Sequence, residues 1–149
     1  MSKESEKSVE YFNNGYCWAE SILLSVSESK GIKSDLIPKI ATGFCGGVSH
    51  TDGICGAITG GILAINMIDG RSKISDPREK VEFKVQKLIN EFDKKFCSTH
   101  CYKLTGCDLG TDEGQEKYNV NECYELCDKF VYRATELTLD LMEEKWKNQ

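Results

Sequence analysis

Apolar side chains recur at three- and four-residue steps along most of this chain, which is the spacing of one face of an α-helix. The longest such stripe consists of Val81, Val85, Leu88, Phe92 and Phe96. No run of four to eight residues alternates between apolar and polar side chains as a half-buried strand does. The pattern therefore predicts an all-α protein. A length of 149 residues predicts a single domain, 1–149, that is large enough for a hydrophobic core.

Turn and cap residues divide the pattern into six predicted helices. Asp76 and Pro77 form the clearest start signal, an N-cap followed by proline at the first helical position. Short connections favour antiparallel neighbours, so we expect an up-and-down helical bundle. The predicted ranges are 4–12, 16–29, 34–41, 55–68, 76–97 and 121–146, with an irregular connection over 98–114.

The stretch 43–65 combines a glycine-rich loop with a helix that carries no charge before Asp69. Gly56, Gly60 and Gly61 each cost about 1 kcal/mol of helix propensity, so their presence indicates close packing of another element. This buried, glycine-rich helix is predicted to be the centre of the bundle. Cys55 lies at its first turn, where unpaired N–H groups and the helix dipole favour a thiolate. The alternative is a tightly packed core helix whose cysteine acts as a small hydrophobic residue.

Composition and charge exclude several classes of function. The net charge is −5 and no Lys/Arg cluster occurs, which argues against nucleic acid as a partner. The apolar run 54–68 is too short and too rich in glycine to span a membrane. The N-terminus has no apolar leader segment, so we expect a cytoplasmic protein. Eight cysteines in a reducing compartment indicate metal ligation or thiol redox chemistry rather than structural disulfides.

The spacing of the cysteines indicates which kind of metal or redox site they can form. In an up-and-down bundle the predicted helix order places all eight cysteines at one end. Cys123 and Cys127 are four residues apart on one helix, with Cβ atoms about 5–6 Å apart. A disulfide requires nearer 3.8 Å, so this pair is better suited to sharing a metal. No C-x-x-C motif occurs, which argues against thioredoxin-like and zinc-ribbon sites. The spacing favours a soft-metal or iron–sulfur site, and scattered core thiols are the alternative.

Four motifs make the chain resemble a family across nearly its whole length. They are Phe12-x-x-Gly-x-x-Trp18, Cys55-Gly-Ala-Ile-Thr-Gly60, Phe96-x-x-x-x-Cys101-x-x-Leu104-x-Gly106 and Cys127-x-Lys-Phe-Val131. The family is that of bacterial redox-active proteins named for a C…GCAxxG…C…C cysteine pattern. The resemblance implies a small all-α redox or iron–sulfur-binding module. Its four shared cysteines correspond here to Cys17, Cys55, Cys101 and Cys127.

We therefore expect a redox-active metal-binding protein that carries an iron–sulfur cluster for electron transfer or redox sensing and works with a redox partner protein. The predicted ligands are the four cysteines that the family shares. The additional candidates for metal or redox chemistry at the same site are Cys45, Cys97, Cys107 and Cys123. Two alternatives stay open, a metal-free thiol–disulfide oxidoreductase that uses Cys55 and a structural zinc protein. No residue is assigned as catalytic, and the sequence leaves open both enzymatic activity and a homodimer.

Overall fold

A computed structural model describes residues 2–120 and 123–146. Within these residues the backbone is helical apart from its connections and one isolated antiparallel bridge between Ile54 and His100, which confirms the all-α prediction. None of the helices in this part of the chain has the length and apolar character that a membrane span requires. The elements are α1 (Lys3–Asn13), α2 (Trp18–Ser29), a 3₁₀ helix (Lys39–Phe44), α3 (Cys45–His50), α4 (Gly56–Asp69), α5 (Glu79–Phe96), α6 (Cys101–Thr105), α7 (Asp112–Val120) and α8 (Cys123–Glu143).

The glycine-rich helix α4 lies at the centre and packs against α2, α5 and α8, while α1 packs on α2 and α8. Gly60 explains the close approach of α2. A Cβ atom at this position would lie 2.8 Å from the Cα atom of Ala19 and 3.0 Å from its carbonyl oxygen. A Cβ atom at Gly61 would lie 2.5 Å from the Thr138 hydroxyl of α8. The predicted role of these glycines in close packing is confirmed.

The start of α5 differs from the prediction. The N-cap is Arg78 rather than the predicted Asp76, and the first helical residue is Glu79. The Asp76 carboxylate instead accepts hydrogen bonds from the backbone N–H groups of Ser72 at 2.9 Å and Lys73 at 3.2 Å. It therefore closes the preceding turn, because Asp side chains compete for nearby backbone donors in turns as well as in helices.

Two connections also differ from the prediction. The expected helix 34–41 is replaced by turns and the 3₁₀ helix, and the expected irregular stretch 98–114 contains α6 and the start of α7. The backbone N–H of Tyr102, in the first turn of α6, donates to the Asp52 carboxylate at 3.0 Å. This partner comes from a distant segment, so local sequence patterns do not reveal α6. The last helix was predicted to begin at Asn121, which lies outside the described residues.

One lysine is buried between the central helices. Lys84 of α5 is 1% exposed, and its ammonium group lies 2.7 Å from a carboxylate oxygen of Asp69 at the end of α4. Its Nζ atom also lies 3.5 Å from the Met142 carbonyl oxygen in α8. The ion pair thus joins α4, α5 and α8, and the paired carboxylate offsets the cost of burying the charge.

Candidate functional site

Cys17 and Cys45 form a pair at the start of α2. Cys17 is the N-cap residue of this helix, and Cys45 follows the 3₁₀ helix. Their sulfur atoms lie at disulfide distance, and their Cα atoms are 5.9 Å apart. The sequence argued against structural disulfides and favoured metal ligation or thiol redox chemistry, and a cysteine pair at disulfide distance is what thiol redox chemistry requires. In this form Cys17 is bonded to another cysteine rather than free to ligate a metal with Cys55, Cys101 and Cys127.

The segment α3 is a left-handed turn, an unusual conformation for L-residues. The residues from Gly46 to His50 all have positive φ angles, between 49° and 67°. For non-glycine residues this conformation costs about 1–2 kcal/mol each, and Val48, which is β-branched, is the most unusual of them. The turn brings Gly47 against the second half of the site, since a Cβ atom there would lie 2.6 Å from the Cys101 Cβ atom. Strained backbone of this kind is concentrated at functional sites.

Backbone hydrogen bonds bring Cys55 and Cys101 together. The N–H of Cys55 donates to the Thr99 carbonyl oxygen at 2.7 Å, and the N–H of Cys101 donates to the Gly53 carbonyl oxygen at 3.2 Å. These two bonds surround the isolated bridge between Ile54 and His100. The start of α4 is therefore fixed beside the start of α6, with one cysteine at each helix start.

The environment of Cys55 favours the thiol, whereas the sequence predicted that it would favour the thiolate. Burial is the dominant influence and raises the pKa of the Cys55 thiol to about 12. The backbone N–H groups of Ala57 and Ile58, at the start of α4, point at the sulfur and lower its pKa, but by less. The start of this helix was correctly predicted, but desolvation raises the thiol pKa by more than the N–H groups at the helix start lower it. Cys55 is therefore a protonated thiol at neutral pH rather than an activated nucleophile.

Cys127 of α8 lies in the same buried region and is 1% exposed. Burial raises the pKa of its thiol to about 11, and the neighbouring side chains of Tyr118 and Trp18 oppose this shift. The Tyr118 hydroxyl lies near the sulfur but makes no hydrogen bond of standard geometry within the described part of the chain. The two aromatic side chains thus separate Cys127 from solvent.

The thiols of Cys55, Cys101 and Cys127 are close enough for their charges to interact. Ionisation of Cys101 or Cys127 would raise the pKa of Cys55, and ionisation of Cys101 would raise that of Cys127. The disulfide pair adjoins this group, because a Cβ atom at Gly56 would lie 3.4 Å from the Cys45 Cα atom. The structure therefore places the four cysteines that the family shares in one region. Their role as metal ligands stays a prediction.

The additional cysteines fall into three different settings. Cys45 pairs with Cys17, whereas Cys97 is exposed and occupies the left-handed C-cap of α5. Cys107 and Cys123 are buried with their sulfur atoms 3.0 Å apart. Burial, followed by the neighbouring Cys123 thiol, raises the pKa of Cys107 to about 11. The sequence placed all four beside the shared cysteines but did not indicate these pairings.

A metal site requires several ligating side chains that converge on one point. Within residues 2–120 and 123–146, no three Cys, His, Asp or Glu side chains are arranged to hold a metal ion. A groove of about 550 Å³ lies elsewhere, between α1, α5 and α8, and Val9, Phe96 and Tyr132 are among its lining residues. None of the cysteines lines this groove. The redox chemistry of the molecule is therefore to be sought in the cysteine region.

Comparison with known proteins agrees with this location. The chain is 29% identical, over 96% of its own length and 95% of the relative's, to a protein of Archaeoglobus fulgidus that is described as an uncharacterized protein. No solved structure matches it. A family model described as "Putative redox-active protein (C_GCAxxG_C_C)" matches residues 16–141, a range that contains all eight cysteines. The chain therefore belongs to this family of redox-active proteins.

Proposed function

We propose that this protein is a thiol–disulfide redox protein whose redox couple is Cys17–Cys45. The observation that carries the proposal is the pairing of these two cysteines beside three further thiols. Cys17 is partly exposed, whereas Cys45 is buried, so the Cys17 sulfur is the one that a partner can reach. As the N-cap residue of α2, Cys17 also lies where the helix dipole stabilises a thiolate.

The exchange needs a dithiol partner, which we expect to be a cytoplasmic protein. One partner thiolate attacks the Cys17 sulfur, the S–S bond breaks, and Cys45 leaves as a thiolate that takes up a proton. The second partner thiolate then attacks the partner sulfur of the mixed disulfide and releases Cys17, which is protonated in turn. Two electrons and two protons pass to this chain, and the partner is left with a disulfide.

A redox titration followed by differential alkylation tests the proposal. Protein is equilibrated in glutathione buffers of increasing potential, free thiols are blocked, and the peptides that contain Cys17 and Cys45 are quantified by mass spectrometry. We expect one two-electron transition that involves both peptides. A midpoint far below about −300 mV, which is typical of structural disulfides, would contradict a redox role.

Two matched variants complete this experiment. Cys17→Ser should abolish the transition, because Cys45 then has no partner at this site and stays a free thiol at every potential. Cys97→Ser removes an exposed cysteine outside the site and should leave the transition unchanged. If the titration of Cys45 were the same in Cys17→Ser as in the natural chain, Cys17 would not be its redox partner.

An iron–sulfur cluster is the second candidate, and the convergence of Cys55, Cys101 and Cys127 favours it. Buried thiols with raised pKa values ionise readily only when a cation offsets their charge. In the form described, however, the residues do not fit a four-cysteine site, because Cys17 is bonded to Cys45. We therefore derive no step through a cluster or through zinc.

Anaerobic purification separates the two candidates. An iron–sulfur protein would show visible charge-transfer bands together with iron and sulfide, and Cys55→Ser would abolish them. Bound zinc without such bands would indicate a structural metal site. Protein that lacks iron, sulfide and zinc, yet shows the Cys17–Cys45 transition, would favour the thiol–disulfide function.

A further inference from the structure

A second pair of thiols shares no sulfur atom with the Cys17–Cys45 couple. The sulfur atoms of Cys107 and Cys123 are 3.0 Å apart, and these residues are 1% and 6% exposed. Each thiol also lies near the Thr105 carbonyl oxygen, at 3.6 Å from Cys107 and 3.5 Å from Cys123. The shared acceptor keeps the two sulfur atoms side by side. To form a disulfide bond of about 2.05 Å, the two sulfur atoms need to approach each other by only about 1 Å.

This pair connects the segment 101–120, which contains α6 and α7, to the first residue of α8. The same segment carries Cys101 and covers Cys127 of α8. Tyr118 of α7 lies over Cys127, with its ring centroid 6.1 Å from that of Trp18. Cys101 and Cys107 line a narrow crevice that leaves no room for a water molecule. A reagent can therefore reach Cys101 and Cys127 only when this segment moves away from α8.

We infer that Cys107 and Cys123 are a second dithiol–disulfide couple, and that its oxidation locks the segment 101–120 against α8, which keeps the thiols of Cys101 and Cys127 buried. The oxidant is a low-molecular-weight disulfide. When the segment opens, the Cys123 thiolate attacks one sulfur atom of this oxidant, the S–S bond of the oxidant breaks, and one small thiolate leaves. The Cys107 thiolate then attacks the Cys123 sulfur and releases the second small thiolate. Two electrons pass to the oxidant, and its two thiolates take up the protons from the two cysteines.

The locking follows from chain entropy. A disulfide between these residues closes a loop that contains α7 and ties the chain just after α6 to the start of α8. It therefore removes open conformations in which this segment separates from α8. Local opening of this kind sets the rate at which buried groups meet reagents in solution. The inference does not depend on the Cys17–Cys45 couple, because the two pairs use different sulfur atoms and lie on different elements.

The test uses the full chain and the glutathione couple. Protein is equilibrated at a series of ratios of oxidised to reduced glutathione, and the connectivity of Cys107 and Cys123 is determined by peptide mapping. The alkylation rates of Cys101 and Cys127 with iodoacetamide are then measured in each state. We expect a Cys107–Cys123 disulfide under oxidising conditions and at least about tenfold slower alkylation of both buried thiols, since cross-linking a loop of this length restricts opening strongly.

Two variants identify the cause of any change in rate. In Cys107→Ser, oxidised glutathione should no longer slow the alkylation of Cys101 and Cys127. Cys97→Ser should behave as the natural chain does. Because the disulfide itself is measured in the natural protein, the result does not depend on whether Cys107→Ser folds.

Two results would overturn the inference. The first is that Cys107 and Cys123 stay free, or carry separate glutathione adducts, in the most oxidising buffer. The second is that their disulfide forms without slowing alkylation. The Cys17 and Cys45 peptides are quantified in the same samples, so failure of the proposed function is recorded separately.

Discussion

The contact between the left-handed turn and α6 can be tested by replacing a single hydrogen atom with a methyl group. In Gly47→Ala the new Cβ atom would lie 2.6 Å from the Cys101 Cβ atom, and the residue would keep a φ of +64°. Two costs therefore add, conformational strain and a steric clash. Gly31→Ala is the matched control, because its φ is +68° and a Cβ atom there would meet nothing within 4 Å.

The φ angle and the distance to Cys101 set the expected losses of unfolding free energy. An alanine in the left-handed region costs about 1–2 kcal/mol, which both variants share. Relieving the clash requires Cys101 to move by about 1 Å, from 2.6 Å to a normal carbon–carbon contact. Overpacking of this kind costs about 1–3 kcal/mol more. We therefore expect Gly31→Ala to lose about 1–2 kcal/mol of unfolding free energy and Gly47→Ala about 2–5 kcal/mol.

Urea denaturation of both variants gives the free energies, and the alkylation rate of Cys101 reports on the site. Gly47→Ala should expose the Cys101 thiol and speed its alkylation, whereas Gly31→Ala should leave that rate unchanged. Equal losses of unfolding free energy in the two variants, with equal alkylation rates, would refute the contact between the turn and Cys101.

Three further predictions follow. Gly60→Ala should destabilise the protein by about 1–3 kcal/mol despite a gain in helix propensity, because the backbone of Ala19 in α2 cannot move away as a side chain can. An unchanged melting temperature would show that this face of α4 is open. Lys84→Met should cost about 1.5–3 kcal/mol in urea denaturation, because Asp69 loses its buried partner and keeps only the partly exposed ammonium group of Lys80. The loss should be smaller when Asp69→Asn is added, and equal losses in both would contradict the ion pair. Between pH 9 and 12 the unfolded chain loses the Cys55 proton while the folded chain keeps it, so the unfolding free energy should fall by up to about 1.4 kcal/mol per pH unit. In Cys55→Ala the unfolding free energy should fall less steeply with pH. Parallel pH curves for the two proteins would refute the raised pKa.

Several features of the site were predictable because their causes are local. The glycines of α4 indicated a close contact, and the structure has one between Gly60 and Ala19. Cys55 was expected at the start of this helix, and it is the N-cap residue of α4. Cys97 was expected at the end of α5, and it is the C-cap residue. Each of these inferences depends on residues within one or two turns of the position concerned.

The pairing of the cysteines was not predictable, because it depends on contacts between distant segments. Cys45 reaches Cys17 because the 3₁₀ helix packs against α2. No sequence pattern indicates the five consecutive residues with positive φ that follow Cys45. Cys107 and Cys123 meet because α6 and α7 form in a stretch that was expected to be irregular. The start of α6 depends on the Asp52 carboxylate, which comes from the other side of the site.

The pKa of Cys55 shows the same division between local and tertiary causes. Neighbouring residues specify periodicity and helix ends, so the helical class, the central helix and the N–H groups at the Cys55 sulfur could be predicted from the sequence. The burial that outweighs those donors and the pairing of Cys17 with Cys45 became visible in the folded structure. Desolvation and sulfur pairing depend on which distant segments pack together, and one chain's local pattern does not specify that packing.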